Sequence, residues 1–330
     1  MTRRSTKCSS PQQVNAVGSA PMAPFRFAVQ LSHAASPDAW RAMARKIEDL
    51  GYSTLYIPDH LDDQWAPMIA LVVAAEATTT LRVGTLVLDN DFRHPVVLAK
   101  EAATLDVVTG GRFELGMGAG WMTTDYTQSG IPMEPPSVRI AKLAESIEIM
   151  RAMWTTGKAT LNGEYYQVTE ALGTPIPVTP GGPPLVIGGG SKRILTLAGR
   201  CAETVSIVPS LAAGVVGPEV AAESVVEKYT ERVRWARDAA GDRAGDLEFQ
   251  CWTAAVQVVP NAAELIESMA PAFGLTPDQL RAAPIALVGT VGEIVETLRK
   301  RREELGFSYI VVHEAEMEAL GPVIAELAGT

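Results

Sequence analysis

A chain of 330 residues with 47% hydrophobic and 20% charged residues has ample apolar material for a large core and none of the bias of disordered chains. Its net charge of −10, with no long basic stripe to offset it, argues against nucleic acid as a partner, because that recognition rests on neutralising phosphates. An anionic ligand would have to be held by backbone N–H groups or a few placed cations rather than by the overall field.

The first 24 residues carry Ser, Gln, Pro and Asn with no apolar run and are read as a flexible tail ahead of one domain spanning 25–330. Arg3-Arg4 is followed by no apolar run, so it does not make an export signal, and Met22 offers an alternative start just before the first strand. Residues 25–31 read as a strand. Residues 36–50 then place Trp40, Met43, Ile47 and Leu50 at helical spacing before the stop at Gly51. Strand and helix alternate from there: strand 53–57, helix 65–78, strand 82–88, helix 95–109 with proline at its start, and strand 113–117. Helix 138–154, strand 185–187, helix 191–200 and strand 204–208 follow, then helix 221–239, a strand within 247–259 centred on 254–259, helix 291–305 and strand 309–313. Eight such units predict an α/β fold of the (β/α)8 TIM-barrel type, closed rather than open.

Residues 157–184 and 261–284 fit no ideal barrel unit and are read as insertions, the first with a hairpin around Asn162-Gly163 and the second as short helices. The first is proline-rich from Pro175 to Pro184, and it is either a lid over a ligand at the rim or a plain surface excursion. Cys8, Cys201 and Cys251 are odd in number, far apart and in no C-x-x-C pair, which argues against a disulfide framework and for a reducing cytoplasm. No apolar stretch is both long and turn-free enough to span a bilayer. The helix predicted at 65–78 carries Met68-Ile69-Ala70-Leu71-Val72-Val73-Ala74-Ala75, more apolar surface than one barrel-facing stripe requires, so its outer face is expected to be buried in a homodimer.

Strand ends converge on one rim of such a barrel, and the residues there are the candidates for chemistry. Asp59-His60 follows the second strand, where a carboxylate beside an imidazole suits proton transfer near neutral pH. A capping Asp with a surface His would give the same dipeptide. The run Gly116-x-Gly118-Ala119-Gly120 lacks the third glycine of a dinucleotide fingerprint, since Trp121 stands there. It reads instead as a place where a flat ring lies against the backbone, with Trp121 as an aromatic wall, or as a glycine-rich turn beside a core tryptophan. Gly188-Gly189-Gly190-Ser191, opening a helix at Lys192-Arg193, makes a phosphate cradle or an ordinary glycine turn. His33, His94 and His313 fall at or near strand and helix ends, but the other positions a barrel metal site needs carry glycine, Ser191 and Pro209, so no metal is expected. There is no G-x-S-x-G elbow and no cysteine placed for nucleophilic catalysis.

Gly51-Tyr52 leading to Pro58-Asp59-His60, Leu81-Arg82-Val83-Gly84-Thr85, Phe92-Arg93-His94-Pro95, Gly110-Gly111-Arg112-Phe113-Glu114-Leu115-Gly116 and Gly118-Ala119-Gly120-Trp121 together resemble the luciferase-like monooxygenase superfamily. The likeness is strongest to its branch of deazaflavin oxidoreductases that use coenzyme F420. The resemblance implies a cofactor at the C-terminal rim, its ring over strands two to four and its phosphate at Gly188-Gly189-Gly190-Ser191. It implies that Leu86-Val87 is a bulged bond, often cis in the family, backing the ring, that Asn90 sits at the ring edge, that Asp59 contacts the ring and that His60 is the catalytic histidine. Family members that oxidise sugar phosphates carry a glutamate where this chain has Trp121, and an indole does no proton chemistry. A pocket walled by Trp121 and Trp65 therefore favours a larger, less polar small-molecule substrate. Hydride would pass between C5 of the deazaflavin and the substrate while His60 moves the proton. An FMN-dependent monooxygenase served by a separate flavin reductase, and a catalytically silent flavin-binding barrel, are the other readings the resemblance allows.

Overall fold

A computed structural model describes residues 23–211, 214, 220 and 222–330. The tail expected over the first 24 residues falls almost wholly outside them, as does most of 211–220. Eight strands close into a parallel barrel: β1 (Arg26–Gln30), β2 (Thr54–Ile57), β3 (Arg82–Thr85) with its short continuation β4 (Leu88–Asp89), β5 (Phe113–Gly118), β8 (Leu185–Gly189), β9 (Thr204–Ile207), β10 (Glu248–Trp252) and β13 (Phe307–His313). Pairing runs in the order β3-β2-β1-β13-β10-β9-β8-β5, and Val83 and Gly84 of β3 pair back on Phe113 and Glu114 of β5 to complete the ring. The strands read as apolar runs because helices cover their outer faces. These are α1 (Pro37–Asp49), α2 (Pro67–Glu76), α3 (Pro95–Val108), α5 (Pro136–Thr156), α6 (Lys192–Cys201), α7 (Val226–Ala240), α10 (Val291–Leu305) and α11 (Met317–Leu327).

Local chemistry sets the ends of these elements. α10 occupies the predicted residues because Thr290 and Glu293 form a reciprocal capping box at its start and Gly306, at φ 88°, closes it. Three differences from the sequence reading change the rim. The third strand does not run through 82–88; it breaks at Leu86–Val87, which is a cis peptide, and resumes at Leu88. The run 247–259 is not one strand centred on 254–259, because only Glu248–Trp252 enters the barrel. Beyond Thr253, β11 (Ala255–Val258) pairs in parallel outside the barrel with β12 (Ala286–Gly289), a strand the sequence reading omitted. A seven-residue helix, α4 (Thr123–Ser129), stands directly after Trp121 and was also not foreseen.

The first insertion forms the antiparallel hairpin β6 (Lys158–Asn162) and β7 (Gln167–Leu172), turning after Asn162 as expected. The second contains α8 (Ala262–Met269), a 3-10 turn at Ala270–Phe273 and α9 (Pro277–Ala282).

The bottom of the barrel is filled by charge. Arg26, Arg82 and Glu248 each begin a strand, and Glu114 is buried among them, accepting from the guanidiniums of Arg26 and Arg82 and from the Tyr56 hydroxyl. Burial pushes the Glu114 carboxyl up, but Arg26 and Arg82 overcome this and hold it down to about 2. This end carries stability and leaves the opposite rim to function. No helix among the described residues is long and apolar enough to cross a membrane.

Candidate active site

A cavity of about 720 Å³ opens at the C-terminal ends of the strands. It is within the size range of cofactor and small-molecule sites. Of the residues singled out in the sequence, it gathers His60 after β2, Leu86 and Val87 at the break in the third strand, Gly118, Ala119, Gly120 and Trp121 after β5, and Gly188, Gly189, Gly190 and Ser191 after β8.

Among the described residues, His60 is held on one side only. Its Nδ1 lies 2.7 Å from Oδ2 of Asp125, whose other carboxylate oxygen accepts the Leu61 N–H at 3.1 Å. Asp125 is 3% exposed in the first turn of α4, so this helix presents a desolvated carboxylate to the imidazole. The pairing leaves Nε2 as the free nitrogen of a ring that lines the cavity. Trp121 meets the imidazole edge-on, with ring centres 5.6 Å apart at 89°.

Across the cavity, Ser191 stands at the N-cap of α6 without making a side-chain capping bond, so the first N–H groups of that helix and the Ser191 hydroxyl are available to an anion. A Cβ on Gly190 would come within 2.6 Å of the carbonyl oxygens of Val208 and Pro209, so only glycine lets the loop pass there. Ser206, partnered with Gly188 in the β8–β9 register, is 1% exposed, lines the cavity and has an Oγ with no hydrogen-bond partner. Such an orphan calls for a ligand atom. The floor between is Val87, which a Cβ on Gly118 would strike at 2.7 Å. Gln30 at the end of β1 donates to the Leu86 carbonyl at 2.8 Å and accepts from the Trp252 indole at 3.0 Å, fixing the chain ahead of the cis bond. A flat ring with a phosphate arm fits these residues: uncapped N–H groups for the phosphate, an apolar bed, and a buried hydroxyl without a partner.

Three predicted residues are not brought into the cavity. Asp59 is buried and taken up by Arg93, whose two terminal nitrogens reach its oxygens at 2.5 and 3.0 Å, and by the Asp89 N–H at 3.1 Å. Asn90 is 2% exposed and donates to the Tyr166 hydroxyl at 3.3 Å, tying the first insertion to the barrel. Trp65 packs on Trp40 with ring centres 5.4 Å apart. The first insertion also fails as a lid, because none of its residues lines the cavity; Thr179 is tied instead to Asp106 of α3 at 2.7 and 2.8 Å. The second insertion does reach the cavity, through Ala272 and Phe273.

The sequence reading missed Asp125, Gln30, Ser206, Trp252 and Phe273. Only Asp125 carried a usable signal, standing four residues after Trp121 at helical spacing. Among the described residues, two charged side chains besides the histidine line the cavity. Burial pushes the Asp89 carboxyl up to about 6, against hydrogen bonds from the Asp91 N–H and the Tyr126 hydroxyl. Arg139 is spent on the carbonyl oxygens of Glu134, Ala119 and Gly120. His313 packs edge-on against Trp252 at 5.0 Å, and among the described residues no three His, Cys, Asp or Glu side chains are placed to hold a metal ion.

A family model described as luciferase-like monooxygenase matches residues 20–273. Over aligned segments the chain is 31% identical to an uncharacterized protein of Mycobacterium tuberculosis (185 residues, 49% of this chain) and 27% identical to an F420-dependent glucose-6-phosphate dehydrogenase of Amycolatopsis mediterranei (217 residues, 59%). It is 34% identical to a 4-hydroxyprotoasukamycin monooxygenase of Streptomyces nodosus subsp. asukaensis (122 residues, 35%). The chain spans 64%, 64% and 32% of those relatives' own lengths, less than two thirds in each case. In structure it is similar to the coenzyme F420-dependent tetrahydromethanopterin reductase of Methanopyrus kandleri, with a TM-score of 0.72 at 19% identity over 92% of this chain and 100% of that one. At that identity the likeness speaks for the fold alone.

Proposed function

From the premise that the chain belongs to the luciferase-like monooxygenase family, we propose that it is an F420-dependent oxidoreductase with His60 as its proton-transfer residue. The observation that carries this reading is the His60–Asp125 pair facing a cradle for a phosphate-bearing flat ring across one cavity. The named activity of the Amycolatopsis relative favours the deazaflavin. When bound, a reduced deazaflavin supplies a hydride from C5 to an electron-poor carbon of the substrate.

The chain's own residues do the rest. The N–H groups at the start of α6 and the Ser191 hydroxyl would hold the phosphate, Val87 and the Leu86 carbonyl, fixed by Gln30, would give the ring its bed, and the Ser206 hydroxyl would be free to bond a polar cofactor atom. Asp125 accepts a hydrogen bond from Nδ1–H and so keeps Nε2 as the atom that takes a proton in oxidation or, once the ring holds a second proton, gives one to the substrate in reduction. Trp121 excludes water from that exchange. His60→Ala is expected to lower turnover by about 10²- to 10⁴-fold while leaving the cofactor Kd nearly unchanged, which steady-state rates and fluorescence quenching of the deazaflavin would measure.

The monooxygenase relative favours a second reading, FMN in the same cradle with a separate reductase, and titration with each cofactor separates the two. We also assign the exposed apolar residues of α2 and its neighbour α3, among them Ile69 (72% exposed) and Val97 (52%), to a homodimer contact.

A further inference from the structure

The second insertion is a built wall of the cavity rather than a surface excursion. β11 and β12 pair outside the barrel and lift the segment between them over the rim, where Ile266, Ala270, Leu275 and Leu280 are buried as an extension of the main hydrophobic core. A capping box at Thr276 and Gln279 fixes α9 behind it. From this rigid piece Ala272 and Phe273 line the cavity, joined by Ile285, by Trp252 and Ala254 of the adjoining barrel edge, and by Met133 from the loop after α4.

Among the described residues the cavity lining offers an anion no free cation. Arg139 is consumed by three carbonyl groups, and Asp89, whose Oδ1 accepts from the Asp91 N–H and the Tyr126 hydroxyl, is itself an acid. The unspent donors, the start of α6 with Ser191 after β8 and the Ser206 hydroxyl of β9, are the ones assigned to the cofactor. A charged head placed against Phe273 would lose its hydration with nothing to replace it. An alkyl or aryl body placed there would leave water at a gain that grows with its area.

We infer that the cavity takes an uncharged substrate with a sizeable apolar body, which lies against Phe273, Ile285 and Trp252 while its reacting carbon faces His60. Sugar phosphates and other anionic substrates are excluded from this end. The inference rests on the reading of the cavity as an active site, and its test keeps the two apart.

The probes are straight-chain 2-alkanones of four to twelve carbons, displacing Nile red from the full-length protein. Each added methylene should tighten binding about two- to fourfold until the chamber is filled, and glucose 6-phosphate should not displace the dye at millimolar concentration. Phe273→Asp should weaken 2-decanone at least tenfold with the F420 Kd within twofold of the native value, whereas Gly190→Val should weaken F420 and spare 2-decanone. Phe273→Leu, which keeps the apolar wall, should stay within threefold for both and shows that the position tolerates change. A flat chain-length series, displacement by glucose 6-phosphate, or unaltered 2-decanone binding in Phe273→Asp would overturn the inference. If the alkanone series behaves as stated and F420 does not bind at all, the cofactor reading falls and the apolar chamber stands.

Discussion

Replacing Asp125 by Asn changes one atom of the buried pair, and the structure dictates what that atom does. One carboxylate oxygen accepts the Leu61 N–H at 3.1 Å, so in the variant the amide oxygen must stay on that side and the NH₂ group must turn toward His60. Across 2.7 Å an NH₂ group can only donate, which forces Nδ1 to be the acceptor and moves the ring proton to Nε2. The ring is then a neutral Nε2–H imidazole, a far weaker acid than an imidazolium, and with an N–H donor in place of a carboxylate against Nδ1 it cannot readily take the second proton that would make it one. Comparable tautomer inversions in catalytic triads lower kcat by up to about 10⁴, and a positioned acid or base is worth about 10² to 10⁴. We therefore expect Asp125→Asn to cut kcat for reduction of an alkyl enone by reduced F420 at least 100-fold, with the F420 Kd within about twofold. Asp125→Glu should recover part of the loss. The chain has four histidines, so ring ¹⁵N spectra of histidine-labelled protein read the tautomer directly, with His60 assigned by its loss in His60→Ala. A variant that keeps kcat within threefold, or whose His60 tautomer is unchanged, would refute the reasoning.

At the barrel floor, Glu114→Gln leaves Arg82 without its carboxylate and Arg26 with Glu248 alone, at 2.9 Å, so it should destabilise the fold by about 3–5 kcal/mol without altering F420 affinity. Because the Glu114 carboxyl is held down to about 2, its contribution is present above its usual 4.5 and disappears as pH falls toward 2. Urea midpoints of native and variant protein should converge across that window, and a constant gap would contradict the assignment. Asp89 behaves in the opposite sense: with its carboxyl pushed up to about 6, its contribution is present below its usual 3.8 and is lost as pH rises through 6. Asp89→Asn should thus gain up to about 3 kcal/mol over the native protein at pH 8 and almost nothing at pH 4, measured by the same denaturation. For the dimer, sedimentation at micromolar concentration should give twice the chain mass, and Ile69→Asp should give the monomer; a monomeric native protein removes that contact.

Most of the barrel was legible because its strands are apolar runs ended by polar or glycine residues, a pattern that buried parallel strands impose on sequence. What failed was local information about where an irregular segment goes. Residues 175–184 are proline-rich, which marks irregular backbone but not position, and the Thr179–Asp106 tie that carries the insertion away from the rim joins residues 73 apart in sequence. The run 247–259 hid a boundary because Thr253 interrupts neither its apolar character nor its β propensity; what turns the chain is the bond from its hydroxyl to the Val311 carbonyl, 58 residues away. At the rim, glycine loops were readable because backbone approach demands glycine, as at Gly190. Asp125 was passed over because Pro132, Pro135 and Pro136 made the stretch after Trp121 look like loop, and the seven-residue helix that presents it ends at Gly130 before them. Asp59 and Trp65 stand in the right segments, but the side-chain partners that turn them away, Arg93 and Trp40, lie 34 and 25 residues off in the chain and leave no local trace.

The central claim, that one cavity binds a deazaflavin and uses His60 to move its proton, is tested most directly by titrating the native protein, His60→Ala and Gly190→Val with F420 and with FMN under fluorescence, then measuring turnover per bound cofactor. The account predicts F420 binding tighter than FMN in the native protein, unchanged F420 binding with turnover reduced at least 100-fold in His60→Ala, and weakened F420 binding in Gly190→Val. Tight FMN binding without F420 binding, or His60→Ala protein that loses the cofactor while turnover per bound cofactor holds, would contradict it.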